Sequence, residues 1–280
     1  MPHRPRLTTP PPSLDAWVDA LADAEIPVLA ETAESLAYLR AGEDDVDAHS
    51  LGELIAADPL MTLKVLAHAN ALQRGRSDGL HGAPETVTAA LVLMGIPPFF
   101  RAFGPQPTLE EALAGEDEAL LGLSRVLQRA ERASRYALGF AAHRADPDAA
   151  LLHGAALLHD FAEMLLWVHA PALALRIAAL QDADRGLRCA AAQRQVLGIT
   201  LAELEQALMR RWQLPELLAR ITDDRHARDP QVRCVSLAVR LARHTARGWD
   251  DSAVQGDLHD IAALLNLSPE HTLKLLRDFD

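Results

Sequence analysis

Cysteine is scarce in this 280-residue chain, with only Cys189 and Cys234 present. Two thiols so far apart make neither a disulfide framework nor a paired-cysteine zinc site, and both are read as buried or inert. Aromatic residues make up 4% of the chain. Valine and isoleucine are sparse beside alanine and leucine, a balance that favours helix over strand, so an all-α fold is expected. Basic residues are in deficit too: 27 Lys and Arg stand against 39 Asp and Glu, a formal charge of -12 with a pI near 5.4. Displacing counterions from phosphates needs the opposite balance, so direct nucleic-acid binding is not expected. No apolar core of a signal peptide follows Met1-Pro2-His3-Arg4-Pro5-Arg6, and no uninterrupted run of about 20 apolar residues occurs later. The expectation is a cytoplasmic protein without membrane insertion. No fixed-period repeat is visible, which favours an irregular multi-helix bundle over a solenoid.

What is present is apolar mass and helix punctuation. An apolar content of 49% suits a chain long enough for two packed subdomains. Residues 1–12, rich in proline and charge, read as a disordered tail. Asp58-Pro59, Asp146-Pro147 and Ser268-Pro269 each pair a capping side chain with proline at the first helical position. Thr200-Leu201-Ala202-Glu203 has capping-box spacing. The expected helices fall near 14–23, 28–40, 50–56, 59–73, 85–94 and 97–103. Others follow near 118–143, 147–169, 171–183, 188–197, 201–212, 215–226, 230–247, 252–265 and 269–278. The break at Gly104-Pro105-Gln106-Pro107 and the polar Gly115-Glu116-Asp117-Glu118 stretch suggest a first subdomain over 13–107 and a second over 108–280.

Three motifs invite a chemical reading. Asp47 to Asn70 has the outline of a helix-turn-helix, yet only Lys64, His68 and Asn70 could address base edges, so a structural corner with Asp58 as a helix cap is favoured. Gly82 to Gly95 has glycines and proline but no Gly-Lys-Ser/Thr ending, which makes it a turn and a glycine-stopped helix, not a phosphate cradle. His159-Asp160 lies in a strongly apolar stretch read as one helix. An imidazole and a carboxylate together can ligate a divalent ion that activates water. His259-Asp260 repeats the dipeptide, so only its surroundings give it meaning. On helical spacing, His153, His143 and Glu163 are the available substitute ligands. Trp212 in Arg211-Trp212-Gln213-Leu214-Pro215 is a candidate anchor, with helix-end packing as the favoured role.

Taken in order, these segments resemble the HDOD domain, a relative of the HD-superfamily metal-dependent phosphohydrolases, across Ile26 to Leu241. The resemblance rests on Ile26-Pro27-Val28-Leu29, on Leu54 to Leu60 followed by Lys64-Val65-Leu66 and Asn70, and on the Val87 to Gly95 helix. It continues through Ala155-Ala156-Leu157-Leu158-His159-Asp160-Phe161-Ala162 and Arg211 to Pro215. The chain departs from the pattern at Ala71 and Met94. Where HD enzymes place further ligands it carries Gln128 or Arg129, and Arg243. Asp224-Arg225-His226 has one histidine where relatives often have two. An arginine stays protonated and opposes a bound cation.

The resemblance therefore implies a bacterial-type signalling protein acting as a protein-interaction scaffold, with no catalytic residues and no cofactor. His159 and Asp160 are vestigial metal ligands on this reading, while Asp58, Asn70, Gly95 and Trp212 shape the structure or its interaction surface. Two alternatives stand beside it. One is a metal-dependent phosphohydrolase with His153 and Glu163 as replacement ligands; the other is a non-catalytic nucleotide sensor.

Overall fold

The computed structural model describes residues 6–74, 83–184, 186–226 and 228–279, apart from the side chains of Arg74 and Arg247. Gly82, the start of the expected turn, lies outside them. The helices α1 (Leu14–Leu21), α2 (Ala30–Arg40), α3 (Ala48–Ala56), α4 (Pro59–Arg74), α5 (Val87–Met94), α6 (Ile96–Ala102) and α7 (Leu109–Ala112) precede the long α8 (Asp117–His143). They are followed by α9 (Ala149–Leu158), α10 (Phe161–His169), α11 (Pro171–Ala183), α12 (Cys189–Leu197) and α13 (Leu201–Trp212). The chain ends with α14 (Glu216–Ile221), α15 (Pro230–His244), α16 (Val254–Leu265) and α17 (Pro269–Phe279). Among the described residues no sheet forms, and the one bridge pairs Val28 with Thr108. The fold is an all-α multi-helix bundle, as composition implied.

Local chemistry explains most helix starts. Ser13 accepts from the Ala16 amide, and Asp47 from His49 and Ser50. Thr200 and Glu203 form the expected capping box, and Thr108 with Glu111 forms another that pattern reading missed. Gly95, at φ +81, ends α5 and opens α6, a left-handed backbone position at which a side chain would be strained. Asp146-Pro147 is not a helix start: Asp146 accepts from the Asp148 amide in a turn, and α9 begins at Ala149.

The chain divides into two compact units, and the division is not at 107/108 as expected. One unit runs to Val126 and resumes over Asp160–Pro215; the other comprises Leu127–His159 and the chain from Glu216 onward. The Gly-Pro break after Phe103 is only a loop within the first unit. Immediately past it, the Leu109 amide bonds back to the Val28 carbonyl at 3.0 Å. The true boundary falls inside α8, which no proline or glycine pattern marks. The described part of the expected tail is also fastened: Arg6 reaches the Ala112 carbonyl (2.6 Å) and Glu116 (2.5 Å), and the Leu7 amide reaches the His169 carbonyl (2.8 Å).

In the first unit, α13 packs against α1, α4 and α10, and α3 against α4 and α5. The α8 segment of that unit meets α10 at Gly122, where an added Cβ would come within 2.4 Å of the Trp167 ring. Alanine in place of glycine inside a helix ordinarily gains about 1 kcal/mol. Here overpacking against a buried indole costs roughly 1–3 kcal/mol. Gly122→Ala is therefore expected to lower stability in urea unfolding, against the usual sign.

The stretch Ala149–His169 is, by length and composition, apolar enough to cross a membrane, and 72% of its most apolar window is buried within the fold, as in a core helix. It is not one continuous helix. His159 closes α9 and Asp160, at φ -112 and ψ 21, opens α10. Across the junction the His159 amide reaches back only to Ala156, and the Glu163 amide starts the next helix from the Asp160 carbonyl. One-turn and two-turn spacings counted across this break, such as His159 to Glu163 and His153 to Asp160, do not describe the real geometry.

Candidate functional site

His159 ends α9 and is 8% exposed. Within its unit α14 and α15 pack on α9, and the 3-10 turn Asp224–His226 joins them. That arrangement sets Asp224 Oδ1 3.5 Å from His159 Nε2. The Ser236 hydroxyl on α15 donates to the same carboxylate oxygen. Asp224 is itself exposed; partial desolvation of its carboxyl raises the pKa, but the hydrogen bond and charge of His159, the Ser236 hydroxyl and the positive charge of Arg243 outweigh it and bring it down to about 2. Arg243 thus places positive charge near the partner of His159.

The rest of the turn binds itself. Asp223 is buried and accepts four bonds from Arg225: its Oδ1 from the backbone amide (3.1 Å) and Nε (2.8 Å), its Oδ2 from Nε (3.1 Å) and Nη2 (2.6 Å). His226 Nδ1 faces Asp223 at 3.5 Å. Asp224 escaped sequence reasoning as the partner of His159. Its only signal was its place in the tripeptide whose histidine content drew notice.

Because Asp224 has a folded pKa of about 2 against an ordinary 3.8, its ionised form is the one the fold favours. The stability it contributes is fully present above the unfolded value and drains away as pH falls from 3.8 through about 2. Asp224→Asn is expected to show a shallower acid limb than the parent in a pH series followed by circular dichroism. An unchanged limb would contradict the His159–Asp224 pairing.

Among the described residues no group of three or more His, Cys, Asp and Glu side chains is arranged to hold a metal ion. His153 is half-buried, and burial lowers its pKa. His143 is exposed and its Nε2 lies 3.2 Å from the Leu265 carbonyl. Asp160 and Glu163 belong to the unit that resumes at Asp160, Gln128 is exposed and Arg129 half-buried. Within the unit that contains His159, the groups at this place are one imidazole, one carboxylate and a nearby guanidinium, fewer donors than a divalent ion that activates water takes up.

The first-unit candidates make contacts within that unit. Asp58 is fully buried. Its Oδ1 accepts from the Leu60 (2.9 Å) and Met61 (3.0 Å) amides and its Oδ2 from the Leu29 amide (2.8 Å), tying α4 to the Ile26–Leu29 segment. Lys64 Nζ, on a side chain 13% exposed, donates to Glu25 Oε1 (2.9 Å), the Ile26 carbonyl (2.7 Å) and Gln106 Oε1 (2.6 Å). His68 packs edge-on to Phe103, and Asn70 donates to the Leu66 carbonyl one turn back at 2.8 Å. Trp212 donates its indole N–H to the Ala22 carbonyl (3.0 Å) and its ring lies 5.8 Å from that of Phe161, so it pins the end of α13 to the end of α1. Cys234 is buried, and burial pushes its thiol up to about 12; Cys189 is exposed, unlike the sequence expectation.

A family model for the HDOD domain matches residues 26–228, and the chain belongs to that family. Among solved structures it is similar to the MmoQ response regulator of Methylococcus capsulatus str. Bath. That pair shares 21% identity and a TM-score of 0.65 over 90% of this chain and 98% of that one. It is also similar to a virulence factor, cj0248, of Campylobacter jejuni subsp. jejuni, with 17% identity and a TM-score of 0.65 over 95% of this chain and 98% of the other. At these identities the likeness is one of fold. No curated protein matches the sequence.

Proposed function

We propose that the protein is a cytoplasmic, bacterial signalling module of HDOD type that works by binding protein partners and not by hydrolytic turnover. The observation that carries the reading is the occupation of His159: its ring faces Asp224, whose charge is in turn answered by Ser236 and Arg243. A histidine so engaged serves to hold α9 against the α14–α15 turn. The MmoQ protein, with which this chain shares its fold, is described as a response regulator, which fits a signalling role. The formal charge of -12 favours protein partners over nucleic acid.

Purified protein supplied with Mg, Mn, Fe, Ni or Zn is expected to hydrolyse neither a nitrophenyl phosphodiester nor a cyclic dinucleotide above background. Tagged full-length protein is expected to recover a partner in stoichiometric amount from its native cell. Metal-dependent hydrolysis that disappears in His159→Ala would overturn the non-catalytic half of the proposal. A capture without any stoichiometric partner would overturn the other half.

A further inference from the structure

One cleft in the first unit serves none of the roles above. It lies between α2 and the segment leading into α3, is open to solvent with a volume of about 640 Å³, and has Leu39, Val46, Leu51 and Leu54 in its lining. Tyr38 stands at its edge with 81% of its surface exposed, the largest exposure among the bulky apolar residues of the chain that are described. The carboxylates of Glu34 and Asp45 complete the rim, and no Lys or Arg lines the cleft. Asp47 is already used, its carboxylate capping α3 through His49, Ser50 and the Ser50 hydroxyl. Glu34 and Asp45 are exposed and, among the described residues, take part in no ion pair.

We propose that this cleft is the docking site for a segment of a partner protein that carries arginine or lysine beside an apolar anchor. The volume is that of a pocket able to hold one or two side chains, and its apolar lining takes an aliphatic group out of water. A guanidinium or ammonium beside that anchor meets the Tyr38 ring face and the two rim carboxylates. The net negative charge of the chain draws such a segment in at long range. An anionic segment would meet repulsion at the same rim. The inference names the partner chemistry of the protein-binding reading and rests on it, so the test uses a defined peptide and not the native partner.

The probe is a short fluorescein-labelled peptide alternating arginine and leucine, titrated into the full chain and followed by fluorescence anisotropy. Its counterpart with glutamate in place of arginine serves as the second probe. The arginine peptide is expected to bind saturably and the glutamate peptide not to bind. Tyr38→Ala, and separately Glu34→Gln with Asp45→Asn, are expected to weaken binding by about tenfold or more. The same charge change made elsewhere, Glu110→Gln with Glu118→Gln at exposed sites, is expected to change it by less than about twofold. Equal weakening by the control pair would mean diffuse attraction to an acidic surface and would overturn the proposal, as would a failure of the arginine peptide to bind. A native partner captured equally well by Tyr38→Ala would sink the cleft while leaving the interaction module intact.

Discussion

Asp58→Ala is expected to cost about 3–4 kcal/mol, the sum of a lost N-cap and of buried amides left without their charged acceptor. One carboxylate serves three backbone donors from two segments, the Leu60 and Met61 amides at the start of α4 and the Leu29 amide ahead of α2. Alanine removes all three bonds where little water can replace them. For a chain of this size the loss corresponds to a fall in melting temperature of roughly 10 °C. Asp58→Asn separates the parts: its amide oxygen can keep the cap on α4, while its NH2 faces the Leu29 N–H and cannot accept from it. The expected order of stability is aspartate, asparagine, alanine, read from urea midpoints. Burial raises the pKa of Asp58 above its ordinary 3.8, with the hydrogen bonds opposing. Its ionisation therefore weakens the fold as pH rises from 3.8 through the folded value, and asparagine abolishes that slope. Equal midpoints for parent and alanine variant would show that the clamp contributes nothing.

Arg240→Met is expected to cost about 1–2 kcal/mol in the second unit: the guanidinium is 42% exposed, but the Asp257 carboxylate it faces is buried and loses one of its two partners. Asp257 is 2% exposed, and Arg240 Nε reaches its Oδ1 at 2.6 Å while His244 Nδ1 lies 2.6 Å from its Oδ2. Arg240 also reaches Asp260, so one guanidinium joins α15 to two positions on α16. Methionine keeps the aliphatic bulk and loses the charge, which leaves Asp257 with His244 alone. Arg240→Lys is expected to recover only part of the loss, because an ammonium cannot present two parallel donors. Adding Asp257→Asn to Arg240→Met removes the stranded charge and is expected to restore stability toward the parent. A double variant as unstable as Arg240→Met would contradict a charge-based account.

Much of the secondary structure was legible because its signals are local. The Asp58-Pro59 start, the Thr200–Glu203 capping box and the glycine stop at Gly95 each act within one turn of helix, and the structure puts helix ends there. The His159-Asp160 break was not legible, since Leu157, Leu158, Phe161 and Ala162 keep the segment apolar on both sides of it. The break coincides with a boundary between the two compact units, which nothing local in the sequence marks. The unit boundary inside α8 was hidden for the same reason: a helix can belong to two cores without any residue that breaks it.

The candidate site was half legible. The tripeptide at Asp224 was singled out for its histidine, whereas its aspartate is the residue that meets His159. Pairing residues so far apart in the chain depends on how α14 and α15 pack on α9, which periodicity does not encode. Lys64 was legible only as part of a structural corner; that its ammonium meets three internal acceptors depends on Glu25, Ile26 and Gln106, far off in sequence. The cleft beside Tyr38 drew no notice in the sequence, because its apolar lining comes from α2 and α3 together.

The central claim is that His159 serves structure in place of metal chemistry, and a titration of Mn²⁺ into the full chain by isothermal calorimetry tests it most directly. The account predicts no saturable heat for the parent or for His159→Ala. Saturable one-to-one binding by the parent, lost in His159→Ala, would contradict it.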